Sequence, residues 1–320
     1  MYKVPFSHSV DNRPEHLRAR KPSPQKEWVQ VPPQRLPAWI KVASTHGPNY
    51  ARVRSILRDH SMHSVCQEAA CPNIRECFNE GTATFMILGN RCTRGCNFCD
   101  VIKAKPHGLD EGEPARLANV VAKLKLKQVV ITSVTRDDLP DGGASIFVRT
   151  IGALRQQDKK VKVEFLIPDF RGNMEALELV LESGVDVLAH NVETVGRLYK
   201  QVRPGMKLDR SLGILRFSSD YNPRPVVKTG FMVGLGETSD EVIELLQQVY
   251  AAGADIVTIG QYLRPSLYHL PVERFYHPDE FKELARIGRE IGFAHVESGP
   301  LVRSSYQAFN QSRKLLEHTC

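Results

Sequence analysis

Long apolar runs are missing from this 320-residue chain, and with them any segment able to cross a bilayer as a helix. A basic stripe interleaved with aromatics is missing too. The formal charge of +7 comes from Lys and Arg scattered along the whole length, which argues against nucleic acid and allows at most an acidic partner. No glycine spacing fits the dinucleotide fingerprint. No secretory signal opens the chain, and residues 1–37 hold Asp11, Glu15 and Glu27 with little Ser, which disfavours an organellar transit peptide; the expected compartment is cytoplasmic. Outside one short window cysteine is nearly absent as well.

Six of the seven cysteines fall inside that window as two trios, Cys66, Cys71, Cys77 and Cys92, Cys96, Cys99. Thiols this close in sequence are poorly placed for three unstrained disulfides, and a reducing compartment disfavours them further. A structural zinc site wants four Cys or His ligands in paired short spacings, and each group here stops at three with no His at a matching distance. Three thiolates on a four-iron, four-sulfide cluster leave one iron free to bind something else, so the spacing favours iron–sulfur over zinc or free thiols. Cys320, alone near the end, is expected to be a free thiol; His269 and His277 are expected to cap or face solvent.

With 42% hydrophobic and 25% charged residues, the chain has the balance of an ordinary globular protein large enough for one α/β barrel with extensions. Residues 1–37 are proline-rich with little apolar periodicity and form an expected extended arm; 38–81 form an extension bearing the first trio. Apolar runs then predict strands over 85–88, 129–134, 161–167, 185–189, 226–233 and 256–262. Helical patterns fall near 115–126, 144–155, 174–182, 241–252 and 278–291. Strands that alternate with helices need a parallel sheet with right-handed crossovers, so the expected fold is α/β, an open (β/α)6 partial barrel of TIM type over 82–277, with 278–320 as a C-terminal helix and extension. Chemistry in such folds sits at the carboxyl ends of the strands, where the second trio falls. Ser133, Glu164, Asn191, Glu193, Lys228 and Gln261 lie within or at the ends of strands; singly each suits a satisfied polar core, together they suggest a binding mouth.

The run Cys92-Thr-Arg-Gly-Cys96-Asn-Phe-Cys99, Cys-x3-Cys-x2-Cys with an aromatic before the last Cys, resembles the radical S-adenosylmethionine enzymes. The strand Gly230-Phe-Met-Val-Gly234-Leu-Gly236-Glu237 resembles that superfamily's glycine-bearing strand, although a turn into a helix capped by Thr238 and Asp240 would need glycine anyway. Within the superfamily, Cys66-x4-Cys71-x5-Cys77 together with Arg303-Ser304-Ser305-Tyr306 resembles the lipoyl synthases. The likeness continues through 85–89, 132–139, 168–172, 190–194, 201–205 and 260–263; Thr135 and Phe165 stand where relatives commonly carry Asp and Thr.

The resemblance implies two 4Fe-4S clusters and S-adenosylmethionine as cofactors. Cys92, Cys96 and Cys99 would hold the cluster that reductively cleaves S-adenosylmethionine to a 5′-deoxyadenosyl radical. Cys66, Cys71 and Cys77 would hold an auxiliary cluster whose fourth ligand is Ser305, with Ser304 as the alternative. Arg303 would steady the alkoxide or pair with a carboxylate. The implied reaction inserts two sulfur atoms, at C6 and C8, into an octanoyl chain carried on a protein lysine, and the auxiliary cluster is consumed as the sulfur source. Implied partners are octanoylated lipoyl carriers (2-oxoacid dehydrogenase acyltransferase subunits and the glycine cleavage H protein), an electron donor such as flavodoxin or ferredoxin, and an iron–sulfur carrier. For S-adenosylmethionine, backbone contacts are expected around Phe98 and Met232, with Ser133, Glu164, Asn191 and Glu193 as polar partners; Arg203 and Lys228 would meet the peptide or a carboxylate. Two other readings compete. A biotin-synthase-like sulfur-inserting enzyme leaves the first trio and the 303–306 motif unexplained, and a non-catalytic iron–sulfur or zinc protein would release no deoxyadenosine.

Overall fold

The computed structural model describes residues 31–32, 34–42 and 47–317; most of the proline-rich arm, and Cys320, lie outside the described residues. Ten strands are found among them: β1 (His63–Ser64), β2 (Thr84–Ile87), β3 (Arg91–Cys92), β4 (Ile102–Lys103), β5 (Gln128–Ser133), β6 (Lys162–Leu166), β7 (Val187–Ala189), β8 (Val226–Val233), β9 (Ile256–Gln261) and β10 (His295–Gly299). Eight of these form one sheet in the order β1-β2-β5-β6-β7-β8-β9-β10, and β3 and β4 form a separate parallel pair. From β2 to β10 every pairing in the large sheet is parallel, and only the two-residue β1 runs antiparallel at the edge.

The expected α/β open barrel is therefore present, with all six expected strands in it. It is also longer than expected. The barrel does not end at residue 277: β10 adds a parallel strand beside β9, with Glu297 opposite Thr258. Its residues, His-Val-Glu-Ser-Gly, are all only half-buried, so the sequence lacks the apolar signature that marks the inner strands. β8, by contrast, is enclosed along nearly its whole length and reads as apolar at both ends, broken only by Lys228, Thr229 and Gly230.

Helices cover the outside of the sheet, each placed by an apolar stripe. Pro278–Ile291 buries Phe281, Leu284, Ala285 and Gly288, the spacing of one helical face; it starts on a capping box between His277 and Glu280 and stops at Gly292, where φ is 121°. His277 thus caps, as expected. Thr238 does the same for Ser239–Ala251, its hydroxyl taking the Glu241 N–H at 3.2 Å.

The end of the barrel away from the strand carboxyl ends is closed by Ala308–Glu317. Its Leu316 packs on Val187, Val226 and Ile256, the first residues of β7, β8 and β9. Its Ser312 hydroxyl donates to Gln128 Oε1 at the start of β5. At the opposite end, residues 34–42 cross the loop after β9, where Gln34 Nε2 donates to Val272 O and Trp39 Nε1 to Tyr276 O. Among the described residues no helix is long and apolar enough to cross a membrane.

Candidate metal centres

Cys92 ends β3, and the loop from there to β4 carries Cys96 and Cys99 across the carboxyl ends of the strands. Arg94, between the first two cysteines, holds Asp137 through two bonds of 2.7 Å and Asp169 through one of 2.5 Å, and Arg210 takes the other Asp169 oxygen at 2.9 Å. Asp137 follows β5 and Asp169 follows β6, so the loop is fixed to two strand ends. Burial works to raise the Asp169 carboxyl, but the Arg94 charge and the Arg210 hydrogen bond outweigh it and hold it near about 2. On the other flank Asn97 donates its backbone N–H to Val202 O and its side-chain amide to Gln201 O, while Leu270 N–H returns to Asn97 O. His269, expected to cap or face solvent, is instead buried with Nε2 3.1 Å from Cys99 O and Nδ1 2.9 Å from the Ser266 hydroxyl. Cys92 Sγ accepts N–H bonds from Arg94 and from Thr135, so Thr135 contributes through its backbone. Phe165 is core, edge-on to Phe147 at 4.9 Å.

Beside this loop the mouth gathers Ser133, Asn191, Glu193, Arg203, Phe98 and Met232. The backbone bends at Glu193, where φ is 66°, so that its N–H reaches Gly230 O and its carbonyl accepts Met232 N–H. Asn191 Nδ2 donates to Glu193 Oε1 at 3.2 Å, and Arg203 Nη1 donates to Asn191 O at 2.8 Å. Burial pushes the Cys96 thiol up to about 11, opposed by the Arg203 charge and aided by Cys92. Burial likewise pushes the Glu193 carboxyl up against the pull of Arg203. Phe98 and Met232 lie half-buried on one apolar cluster. Three polar atoms here, Ser133 Oγ, Asn191 Oδ1 and Arg203 Nε, are buried without a hydrogen-bond partner, a demand that a polar ligand would meet.

Three of the strand residues expected at this mouth do not reach it. Glu164 does not reach it: its carboxylate is 1% exposed inside the barrel, bonded to Lys228 Nζ at 2.7 Å and to Gln128 Nε2 at 3.1 Å. Lys228 is likewise spoken for. Gln261 is also structural, donating to Val233 O, Tyr262 O and Arg274 O while accepting Tyr276 N–H. The space left by Gly234 is filled by that Gln261 amide and by Arg274 O; Gly230 faces Thr258 and the free Asn191 Oδ1.

Behind the mouth His190 is 1% exposed, with Nδ1 3.0 Å from Ile167 O and Nε2 3.0 Å from Ser211 Oγ. A carbonyl only accepts, so Nδ1 carries the proton and Nε2 takes the Ser211 hydroxyl. Burial, with the Arg203 charge, pushes this imidazole down to about 4 from its usual 6.5. Between those two values the unfolded chain binds a proton that the folded one refuses. His190 is therefore expected to stabilise the fold fully above pH 6.5 and to lose about 3 kcal/mol of that as pH falls to 4. Urea midpoints measured across this window, compared with those of His190→Asn, check it: the variant should lack that slope.

The first trio lies on the far flank of β2. Cys66 sits in the turn Val65–Glu68, capped by Ser64, and Cys77 in Ile74–Asn79. Burial pushes the Cys66 thiol up to about 12 with Cys71 adding to it, and burial followed by Cys66 and Cys71 raises Cys77 further, so each thiol lies within the electrostatic reach of another. The C-terminal turn is sewn onto them: Asn73 Nδ2 donates to Leu301 O, Tyr306 OH to Glu76 Oε1, and Thr84 Oγ1 to Ser305 Oγ, each at 2.7 Å. Thr84 also lies beside the Cys66 thiol and draws it down against the rise that burial imposes. Arg303 stands beside Cys71, whose thiol burial raises and Arg303 lowers. The two serines diverge. Ser305 faces the first trio through Thr84, whereas Ser304 Oγ accepts Asn191 Nδ2 at 3.3 Å, beside the second. Thr84, Asn73 and Glu76 carried no signal in the sequence, because each acts through a partner more than 200 residues away.

Gly260, near the end of β9, leaves the room this turn needs; a β-carbon there would overlap Val302 O and come within 3.2 Å of Arg303 Nη1. Gly260→Ala is expected to cost about 1–3 kcal/mol by overpacking. It should also loosen the turn from the first trio, seen as faster amide exchange at 302–306.

The superfamily pattern described as "Radical SAM superfamily" matches residues 86–249, and that of the N-terminal domain of lipoyl synthase matches 10–71. A lipoyl synthase of Rubrobacter xylanophilus is 51% identical over 86% of this chain and 86% of its own length. That of Methylococcus capsulatus is 53% identical over 88% and 87%. The chain belongs to the lipoyl synthase family. Among solved structures, SuiB of Streptococcus suis, bound to precursor peptide SuiA, aligns at TM-score 0.53 with 12% identity over 83% of this chain and 55% of its own. Methylornithine synthase aligns at 0.50 with 16% identity over 79% and 82%; both show the fold alone.

As a lipoyl synthase, the protein is a sulfur-inserting radical enzyme that uses two 4Fe-4S clusters and S-adenosylmethionine and acts on lipoyl carrier proteins. The donor sets fit. All six thiols are free of disulfides, and each trio is made of sulfur alone, the preference of iron–sulfur centres. Among the described residues no three His, Cys, Asp or Glu side chains are placed to hold a single metal ion.

Proposed function

We propose that Cys92, Cys96 and Cys99 hold the cluster to which S-adenosylmethionine binds, and that Cys66, Cys71, Cys77 and Ser305 hold the cluster that gives up its sulfur. The observation that carries this division is the 2.7 Å contact of Thr84 with Ser305, which sets Ser305, and not Ser304, beside the first trio. When bound, these groups supply a hydrogen-abstracting radical and the sulfur. The chain's own part is to bind and align. The Arg94 network holds the second trio over the strand ends, and Ser133 Oγ, Asn191 Oδ1 and Arg203 Nε offer unmet bonds to the polar groups of S-adenosylmethionine, with Phe98 and Met232 beside them. Arg203, charged and only 7% exposed, suits a carboxylate. Glu193 joins this set; Glu164 leaves it for the barrel interior.

The substrate in this reading is an octanoyl-lysine on acyltransferase subunits of 2-oxoacid dehydrogenases or on the glycine cleavage H protein. Flavodoxin or ferredoxin would deliver electrons, an iron–sulfur carrier would rebuild the spent cluster, and a cytoplasmic, reducing setting would keep six clustered thiols available. An arm (1–37), a cluster-bearing extension (38–81), a barrel and a C-terminal closing segment follow as functional divisions. The test is mass spectrometry of an octanoyl-lysyl peptide incubated anaerobically with reconstituted protein, reductant and S-adenosylmethionine. Addition of sulfur supports the assignment, and deoxyadenosine without any sulfur-containing product would overturn it.

A further inference from the structure

Ser304 and Ser305 are adjacent in one turn yet bond into different centres, and no other pair of consecutive side chains named above does so. Ser305 Oγ takes the Thr84 hydroxyl beside Cys66. Ser304 Oγ takes the Asn191 amide, which also donates to Glu193 Oε1, and Asn191 Oδ1 is left buried without a partner. Peptide geometry fixes the two serine Cα atoms about 3.8 Å apart, so one hydroxyl cannot travel far without carrying the other. The turn is also tied down by Asn73 to Leu301 O and by Tyr306 to Glu76, both on the first trio's segment, so what happens to that segment moves the turn as a unit.

We propose that Ser304 is a positioning residue that reports the state of the first trio to the S-adenosylmethionine pocket. While Ser305 is held at the first trio, Ser304 fixes the Asn191 amide so that Oδ1 points at the ligand. When that hold is lost, the Asn191 amide turns, and the pocket loses a preset acceptor. Linkage requires the converse as well: S-adenosylmethionine bound at Asn191 strengthens the hold of the turn on the first trio by the same factor. The physical consequence is order, because the pocket binds best when the sulfur-bearing centre is complete.

The inference rests on the division of the trios proposed above. Its test is a double-mutant cycle on the full, anaerobically reconstituted chain, reading the S-adenosylmethionine dissociation constant by equilibrium dialysis and the paramagnetic resonance of the reduced second-trio cluster with the ligand added. Cys77→Ala breaks the first centre. In the Ser304 background, and in Ser304→Thr, which keeps the hydroxyl, it is expected to weaken S-adenosylmethionine by about fivefold or more, within the usual range of couplings, and to alter the resonance. With Ser304→Ala the same change should move affinity by less than about twofold and leave the resonance as it was. Equal effects of Cys77→Ala in all three backgrounds, or no effect in any, would overturn the relay. If Cys77→Ala instead keeps the full iron and sulfide content of the unaltered chain, the assignment of the first trio has failed, and the relay falls with it.

Discussion

Cys96→Ala is expected to lose both deoxyadenosine release and sulfur insertion, whereas Cys66→Ala is expected to lose sulfur insertion and keep deoxyadenosine release. Losing a residue that only hydrogen-bonds to a metal ligand commonly costs about 10–100-fold, so removing a direct thiolate should cost more than about 100-fold in each affected step. The asymmetry follows from where the trios sit. Cys96 lies within the electrostatic reach of Arg203, Glu193 and Arg94, in the mouth with the unpartnered atoms Ser133 Oγ and Asn191 Oδ1. Cys66 lies beside Thr84 of β2, and the 303–306 turn links that place to the mouth through Ser305 and Ser304. Liquid chromatography of deoxyadenosine and mass spectrometry of the peptide, run on the same anaerobic samples, separate the two steps. Equal loss of deoxyadenosine in both variants would contradict the division.

Much of the fold was legible because it is local. The alternation of apolar strands with helical stripes and the caps at Thr238 and His277 each involve residues a few positions apart, and each appears in the structure where the pattern put it. What escaped is long-range. The half-buried residues of β10 hold their place by pairing with β9, not by their own hydrophobicity. Arg94 finds Asp137 and Asp169 across 43 and 75 residues, and His269 finds Cys99 O across 170. The choice between Ser304 and Ser305 depends on which way adjacent side chains leave a turn, which the motif alone does not encode. Glu164 misled for the opposite reason: a lone acidic residue on a strand suggests a ligand when its counter-ion, Lys228, is 64 residues away.

That pair gives the largest expected effect on stability. Lys228 and Glu164 are 0% and 1% exposed and 2.7 Å apart, with the second Glu164 oxygen taken by Gln128, whose own carbonyl oxygen receives the Ser312 hydroxyl of the closing helix. Desolvation consumes most of the attraction in such a pair, so its presence adds little net stability; leaving one member alone is what costs, by about 3–5 kcal/mol. Lys228→Met and Glu164→Leu are each expected to destabilise by that amount, while the double substitution, which leaves no uncompensated charge, should recover most of it. Urea midpoints of the three variants measure the cycle. The same proteins decide what Glu164 does. Because its carboxylate faces Lys228 and Gln128 and not the mouth, S-adenosylmethionine affinity of the double variant should stay within about twofold of the unaltered chain, a bound set by the modest spread expected of substitutions outside a binding contact. A loss of tenfold or more with stability recovered would return Glu164 to the pocket and contradict the placement described here.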